Sequence, residues 1–310
     1  ASDFRPESIY GRQMKMQSQT DDQGQKLPNI EELTELPGML ALFRKAAGKS
    51  NKFADGQSLP MLGSSIHGLK IDRRHLLAYQ KLMGFDENES LPPTYLSMLG
   101  FPLVLNIMTH ADFPMKAMGQ VHLRNEITVL KYFPIGAPID LTAYIKGNTP
   151  TSKGIEWSVG MMAKVNGELV WSSESTMLHR CKTTIPRQTA EPIMRSGEVQ
   201  TWSVDGGMGR RYAKVSGDYN PIHLSAMTAK FFGFKRAIVH GMWSKARSLA
   251  VLKNDLPKEG YRVRASFHRP LFLPSKVLFY SKHEENKTLF SLFNESGQEA
   301  HLDGIIEEDK

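Results

Sequence analysis

Between Val215 and His223 the chain reads VSGDYNPIH, and HGM follows at 240–242. An acid, an amide and an imidazole (Asp218, Asn220 and His223) thus stand close together where Pro221 disfavours a regular helix at the residue before it. Gly217 loosens the backbone ahead of Asp218, so the segment is expected to be a bend. A bend can aim Asp218 and His223 at one point, as proton transfer to a bound molecule requires. Taken alone, Gly-Asp-x-Asn-Pro also describes a plain turn in which Asp and Asn bond nearby backbone.

The elements that hold this bend come from a repeat. Ile71-Asp72 and Val204-Asp205 are 133 positions apart (204 minus 71), and at that offset Tyr79 meets Tyr212, Lys81 meets Lys214 and Gly84 meets Gly217. Such a match predicts two copies of one structural unit. In each copy an apolar helix candidate, Tyr95–Met108 or Gly241–Lys253, precedes four alternating runs separated by turn signals such as Asn166-Gly167 and Ser296-Gly297. A helix followed by an antiparallel meander, twice over, is an α+β pattern in which each sheet wraps one helix. In the first copy Met83 stands opposite Ser216 and Phe85 opposite Asp218, and no HGM precedes the long helix. The first copy is therefore suited to holding apolar substrate, and the second to chemistry.

Three divisions follow: a polar N-terminal extension over 1–38, a degenerate unit over 39–185 and a catalytic unit over 186–310. The proline-bearing stretch 183–197 is the linker between units. Within the extension, NIEELTEL from Asn29 predicts a capped helical turn.

Composition bounds the function. The 310 residues are 40% hydrophobic, enough for a substantial core. The formal charge of +7 is spread along the chain with no run interleaved with aromatics, which disfavours a nucleic-acid site and leaves room for a phosphate-bearing small molecule. Cys181 is the single cysteine, so no intrachain disulfide forms and a reducing, cytoplasmic compartment fits. The N-terminal residues lack the apolar core of a signal peptide, and no stretch reaches the roughly 20 apolar residues of a membrane span.

The run Tyr212-Ala-Lys-Val-Ser-Gly-Asp-Tyr-Asn-Pro-Ile-His223, with Ala229, Gly233-Phe234 and Ile238-Val-His-Gly-Met242, resembles the hydratase 2 motif of MaoC-like acyl dehydratases and (R)-specific enoyl-CoA hydratases. More loosely, the two-unit layout over 39–310 resembles the family's double hot-dog members. The resemblance implies that Asp218 and His223 act as a catalytic pair on water, adding it across a trans-2-enoyl thioester or, in reverse, dehydrating a (3R)-3-hydroxyacyl thioester. Conjugate addition needs a base, an acid for the α-carbon and a donor for charge on the thioester oxygen. The Gly241 N–H, opening a helix, is the candidate donor. Asn220 is expected to brace the loop or orient water, and His240 to support the helix or position substrate.

The expected substrate carrier is coenzyme A or an acyl-carrier protein, and the two units are expected to pack as an internal pseudo-dimer, with further dimerisation left open. No cofactor and no metal are assigned: DGGMGRR at 205–211 does not complete a dinucleotide fingerprint, and no paired-histidine metal spacing occurs. Two other readings stay in view, a hot-dog thioesterase and a non-catalytic acyl-thioester binding module. Met227, Phe231, Phe232 and Met242 are expected in the core or lining an acyl pocket.

Overall fold

The computed structural model describes residues 29–53, 56–186, 192–193 and 195–308. Its first half runs β1 (Asn29–Leu33), α1 (Met39–Ala47), β2 (Leu62–Leu69), α2 (Arg73–Met83), α3 (Tyr95–Leu99), α4 (Phe101–Thr109), β3 (Val121–Val129), β4 (Ile139–Thr151), β5 (Gly154–Val165) and β6 (Glu168–His179). The second runs β7 (Glu198–Val204), α5 (Met208–Ser216), a 3-10 turn at Pro221–His223, α6 (Ala226–Lys230) and α7 (Gly241–Val251). A 3-10 turn at Lys253–Asp255 then leads into β8 (Tyr261–Phe267), β9 (Ser275–Glu284), β10 (Lys287–Asn294) and β11 (Ala300–Glu308).

The repeat is visible in how α2 and α5 are built. Asp72 accepts the Arg74 N–H, and Asp205 accepts the Gly207 N–H. Each helix closes on a left-handed glycine, Gly84 at φ 90° and Gly217 at φ 73°, a conformation that glycine adopts without a Cβ penalty. α2 buries Leu76, Tyr79, Gln80 and Met83; α5 buries Gly209, Tyr212, Ala213 and Ser216, the same four positions at the same offset.

The eleven strands form one sheet in the order β1-β2-β4-β5-β6-β3-β8-β11-β10-β9-β7. Apart from β1, the order is a palindrome, each strand of one half mirrored by its counterpart in the other. Each copy contributes one sheet, and the two join edge to edge where β3 pairs antiparallel with β8, from Arg124↔Ser266 to Val129↔Tyr261. An unpaired edge would leave a row of N–H and C=O groups without partners, and each half supplies the other's missing strand. The apolar side chains of the helices and of the strand positions facing them merge into one core, which includes Leu103, Ile127, Val263 and Leu249.

Two local expectations are corrected. Asn29–Leu33 is a strand, not a helical turn: it lies parallel to β2, pairing Asn29 with Leu62 and Leu33 with Ile66, and the waiting strand edge outweighs local helix propensity. The apolar stretch from Tyr95 is not one helix but two, broken at Gly100, where a Cβ would stand 2.4 Å from the Met161 sulfur. Residues 1–28 of the expected extension and residues 187–191 and 194 of the expected linker lie outside the described residues. Among the described residues no helix is long and apolar enough to cross a membrane.

Candidate active site

After Gly217 the chain bends through three side-chain bonds of the same kind. Ser216 Oγ accepts the Asp218 N–H at 3.1 Å, Asp218 Oδ1 accepts the Asn220 N–H at 3.1 Å, and Asn220 Oδ1 accepts the Ile222 N–H at 3.4 Å. Short polar side chains can reach the backbone two residues on, so the SGDYNPI run writes its own turn. The Asn220 amide is thereby placed as the cap of the Pro221–His223 turn.

That turn carries His223 back over α5, into contact with the segment ahead of α7. Ile238 donates its N–H to the Ile222 carbonyl at 3.1 Å, and His223 Nδ1 lies 2.8 Å from the Ile238 carbonyl. A carbonyl can only accept, so Nδ1 carries the proton and Nε2 holds the free lone pair. The same logic applies to His240, whose Nε2 lies 3.0 Å from the Asp218 carbonyl and 3.7 Å from its carboxylate. His240 therefore donates from Nε2, and its Nδ1 lone pair is buried without a partner. The two imidazoles stack, with centroids 3.6 Å apart, and Tyr212 covers the outer face of His240 at 4.6 Å.

The electrostatics follow from this enclosure. Burial pushes the Asp218 carboxyl above its ordinary range, partly opposed by His223 and by the Asn220 N–H. Burial holds the His223 ring below its usual value, against the opposing pull of Asp218, and it holds His240 well below. His223 is 8% exposed and the Asp218 side chain 25%, so solvent meets the pair chiefly at the carboxyl. A neutral imidazole with an open lone pair beside a carboxyl is equipped to take a proton and return one.

Asp218, His223 and His240 each place a potential ligand atom within 4.8 Å of the others, the size of a three-ligand metal site. The tautomers argue otherwise: with its Nε2 proton committed to a carbonyl, His240 turns no lone pair toward Asp218. The arrangement suits proton transfer better than coordination.

His240 is the N-cap of α7 and Gly241 its first residue, so the first-turn N–H groups of that helix face the end where the pair stands. Gly241 is crowded by Phe267, whose ring would lie 3.1 Å from an added Cβ. The structure thus brings Asp218, His223, His240 and Gly241 together and uses the Asn220 side chain locally. Met242 packs against the core, but Met227, Phe231 and Phe232 are corrected from core or pocket to surface, at 72%, 84% and 43% exposure. They lie on and after α6, a helix of only five residues that buries Ala229 alone.

Two supporting residues had no readable signal. Lys245, one turn into α7, is fully buried and donates to the Asn125 carbonyl, to Asn125 Oδ1 and to the Val263 carbonyl at 3.0, 2.6 and 3.1 Å. Burial holds its amine well below the usual value. It fastens α7 to both strands of the central β3–β8 pair. His75 of α2 bridges the halves from the other side, 2.7 Å from the Val215 carbonyl and 2.9 Å from the Tyr95 hydroxyl. A lysine in a helix and a histidine in an amphipathic one both read as surface until the packing is known.

A palindromic sheet with paired central helices, bearing one acid–imidazole site at a helix N-terminus, defines a double hot-dog protein with a single equipped half. Residues 190–303 match the MaoC like domain. Over 278 residues it is 27% identical to 3-hydroxyacyl-thioester dehydratase X of Mycobacterium tuberculosis, spanning 88% of this chain and 99% of that protein. The crystal structure of HtdX from the same organism matches with a TM-score of 0.71 at 26% identity, over 79% of this chain and 99% of the other. A MaoC-like dehydratase from Phytophthora capsici shares the fold at a TM-score of 0.62 and 18% identity, covering 81% and 96%.

Proposed function

We propose that this chain catalyses the reversible addition of water to trans-2-enoyl thioesters, as an (R)-specific enoyl-CoA hydratase and (3R)-3-hydroxyacyl thioester dehydratase. The observation that carries the reading is the open Nε2 lone pair of His223, held within reach of Asp218 at the N-terminus of α7. In the hydration direction, His223 Nε2 takes a proton from water as its oxygen bonds to C3. The electron pair of the double bond shifts toward the thioester oxygen, which the Gly241 N–H receives. Asp218 then delivers a proton to C2. His223 has gained one proton and Asp218 has lost one, and their proximity lets the proton return, restoring the site. No electrons are gained or lost overall, so no redox cofactor is required.

In this reading 186–310 is the catalytic unit, and 39–185 is a degenerate unit whose apolar helices α3 and α4 hold the acyl chain. Asn220 and His240 act on substrate through the loop they fix. The thioester is carried by coenzyme A or an acyl-carrier protein, and the two halves serve each other as a pseudo-dimer. The exposed, unpaired Cys181 suits a reducing compartment such as the cytoplasm.

The test is incubation of the purified chain with crotonyl-CoA, following loss of enoyl-thioester absorbance with free thiol measured in parallel. Loss of absorbance without thiol release is expected. Thiol release would make the protein a thioesterase, and no change in either would make it a binding module.

A further inference from the structure

The carbonyl of Val215, three residues before Asp218, lies in the last turn of α5 and needs a donor from outside the helix. The backbone N–H groups that follow it are committed elsewhere: Gly217 to the Ala213 carbonyl, Asp218 to Ser216 Oγ and Tyr219 to the Gly217 carbonyl. Its donor comes from the other half. His75 of α2 lies with Nε2 2.7 Å from the Val215 oxygen and Nδ1 2.9 Å from the Tyr95 hydroxyl. A carbonyl can only accept, so the proton is on Nε2, and the Nδ1 lone pair takes the Tyr95 O–H. Tyr95 is fully buried, opens α3 and stands edge-on to Tyr79 with ring centroids 5.4 Å apart. The Tyr79 hydroxyl donates to Thr94 Oγ1 at 2.8 Å, so α2 and the start of α3 are tied twice.

The tie has no mirror image. The residue 133 positions on from His75 is Met208, whose side chain has no N–H or O–H to give, and the end of α2 is served instead by Arg247, 3.0 Å from the Met83 carbonyl. An imidazole thus crosses between the halves at the helix end that leads into Asp218, and a guanidinium at the end that leads into Phe85. What the imidazole protects is the order of bonds in the bend. With the Val215 carbonyl left bare, the N–H three residues on, that of Asp218, is the group that a 3-10 closure of the helix would bring to it. That N–H now belongs to Ser216 Oγ, the first bond of the series that aims the Asp218 carboxyl.

We propose that His75, backed by Tyr95, is a positioning residue for Asp218 supplied by the first half, a reading that rests on Asp218 acting in hydration. The rate at Asp218 then depends on the start of α3, one of the helices assigned to the acyl chain. The test is the initial rate of crotonyl-CoA hydration by the full chain, compared at matched folded fraction. His75→Leu removes the donor and should lower kcat at least about tenfold, a part of the roughly 100-fold that 1 Å of misplacement costs, with KM kept within about twofold. His75→Gln, whose amide nitrogen stands as many bonds from the backbone as Nε2, should return kcat to within about threefold of the unaltered chain. Tyr95→Phe keeps the ring and the packing; it should slow turnover by about threefold or more and add little to His75→Leu. An unchanged kcat in His75→Leu or in Tyr95→Phe would overturn the proposal, as would His75→Gln as slow as His75→Leu, since the bond would then carry nothing. A loss confined to KM would also overturn it, by making His75 part of the wall that binds substrate. Those outcomes leave the hydratase reading standing, whereas an unaltered chain that does not hydrate crotonyl-CoA would remove both.

Discussion

Gly209 is where the acid–imidazole pair is most sensitive to one methyl group. A Cβ there would stand 2.0 Å from the His223 carbonyl oxygen, and real Cβ atoms essentially never approach within 3.0 Å. Gly209→Ala must therefore move α5 and the Pro221–His223 turn apart by at least 1.0 Å, the difference between those distances. The turn cannot yield alone, since His223 is tied to Ile238 through its ring and Ile222 through its backbone. Misplacing a reacting group by about 1 Å costs on the order of 100-fold in rate, whereas overpacking of this size costs about 1–3 kcal/mol of stability. The expected outcome is a folded protein that hydrates crotonyl-CoA about two orders of magnitude more slowly, read from initial rates at matched folded fraction in a urea titration. If the effect runs through His223, adding Gly209→Ala to His223→Ala should slow the enzyme little further. Turnover within about threefold of the unaltered enzyme, or full additivity in that cycle, would refute the reasoning.

Asp218→Asn and His223→Ala should each lower turnover by about two to four orders of magnitude while circular dichroism stays unchanged; near-normal hydration by either would remove that residue from the mechanism. With His223 held below its ordinary 6.5 by burial, the acid limb of kcat/KM should fall below that value, a macroscopic property of the coupled pair, and a limb above it would contradict the assignment of His223 as base. The depressed His223 and His240 also mean that the unfolded chain binds protons first as pH drops through 6.5, so urea midpoints should fall with acidification there, and a flat profile would contradict their neutral burial. Gly241→Pro should be slower than Gly241→Ala by about 100- to 1,000-fold if that N–H is the oxyanion donor. His240 at φ −66°, ψ 136° already has the backbone that a following proline allows, but either Cβ meets Phe267, so the pair is best compared in a Phe267→Leu background; equal rates would place the donor elsewhere. Lys245→Met strands three oxygens that now accept from it and should destabilise by at least about 2 kcal/mol in urea titration; an unchanged midpoint would show that the network contributes nothing.

Much of this architecture was legible because the repeat is written in capping and turn residues, whose roles are local. Asp72 and Asp205, Gly84 and Gly217 fix the ends of two helices wherever they pack, and the SGDYNPI bend depends only on neighbours two residues apart. What stayed hidden depends on distant partners. Asn29–Leu33 becomes a strand because β2 presents an edge. Lys245 disappears into the core because three oxygens from β3 and β8 converge on it. The outward position of Phe231 is likewise a property of the short α6, not of its own type.

One frame holds two different ends, and the differences are few and in register. Where α5 has Gly209, α2 has Leu76, so no turn can lie flat on α2 as Pro221–His223 lies on α5. Where Ser216 starts the ladder of side-chain bonds, Met83 offers no acceptor of comparable strength, and its carbonyl is taken by Arg247 of α7 at 3.0 Å. Arg247 also fills the space at Gly84, where a Cβ would lie 1.9 Å from its guanidinium. With neither a glycine beneath it nor a serine to start it, the loop after Gly84 takes another path, tied to α2 by Gln80 at the Asn88 and Ser90 carbonyls, and walls a cavity of about 500 Å³. Catalysis at one end and open space at the other thus come from the same positions, so restoring Asp218's counterpart alone, by Phe85→Asp, should create no second active site: the acid would arrive without the turn that brings an imidazole to it.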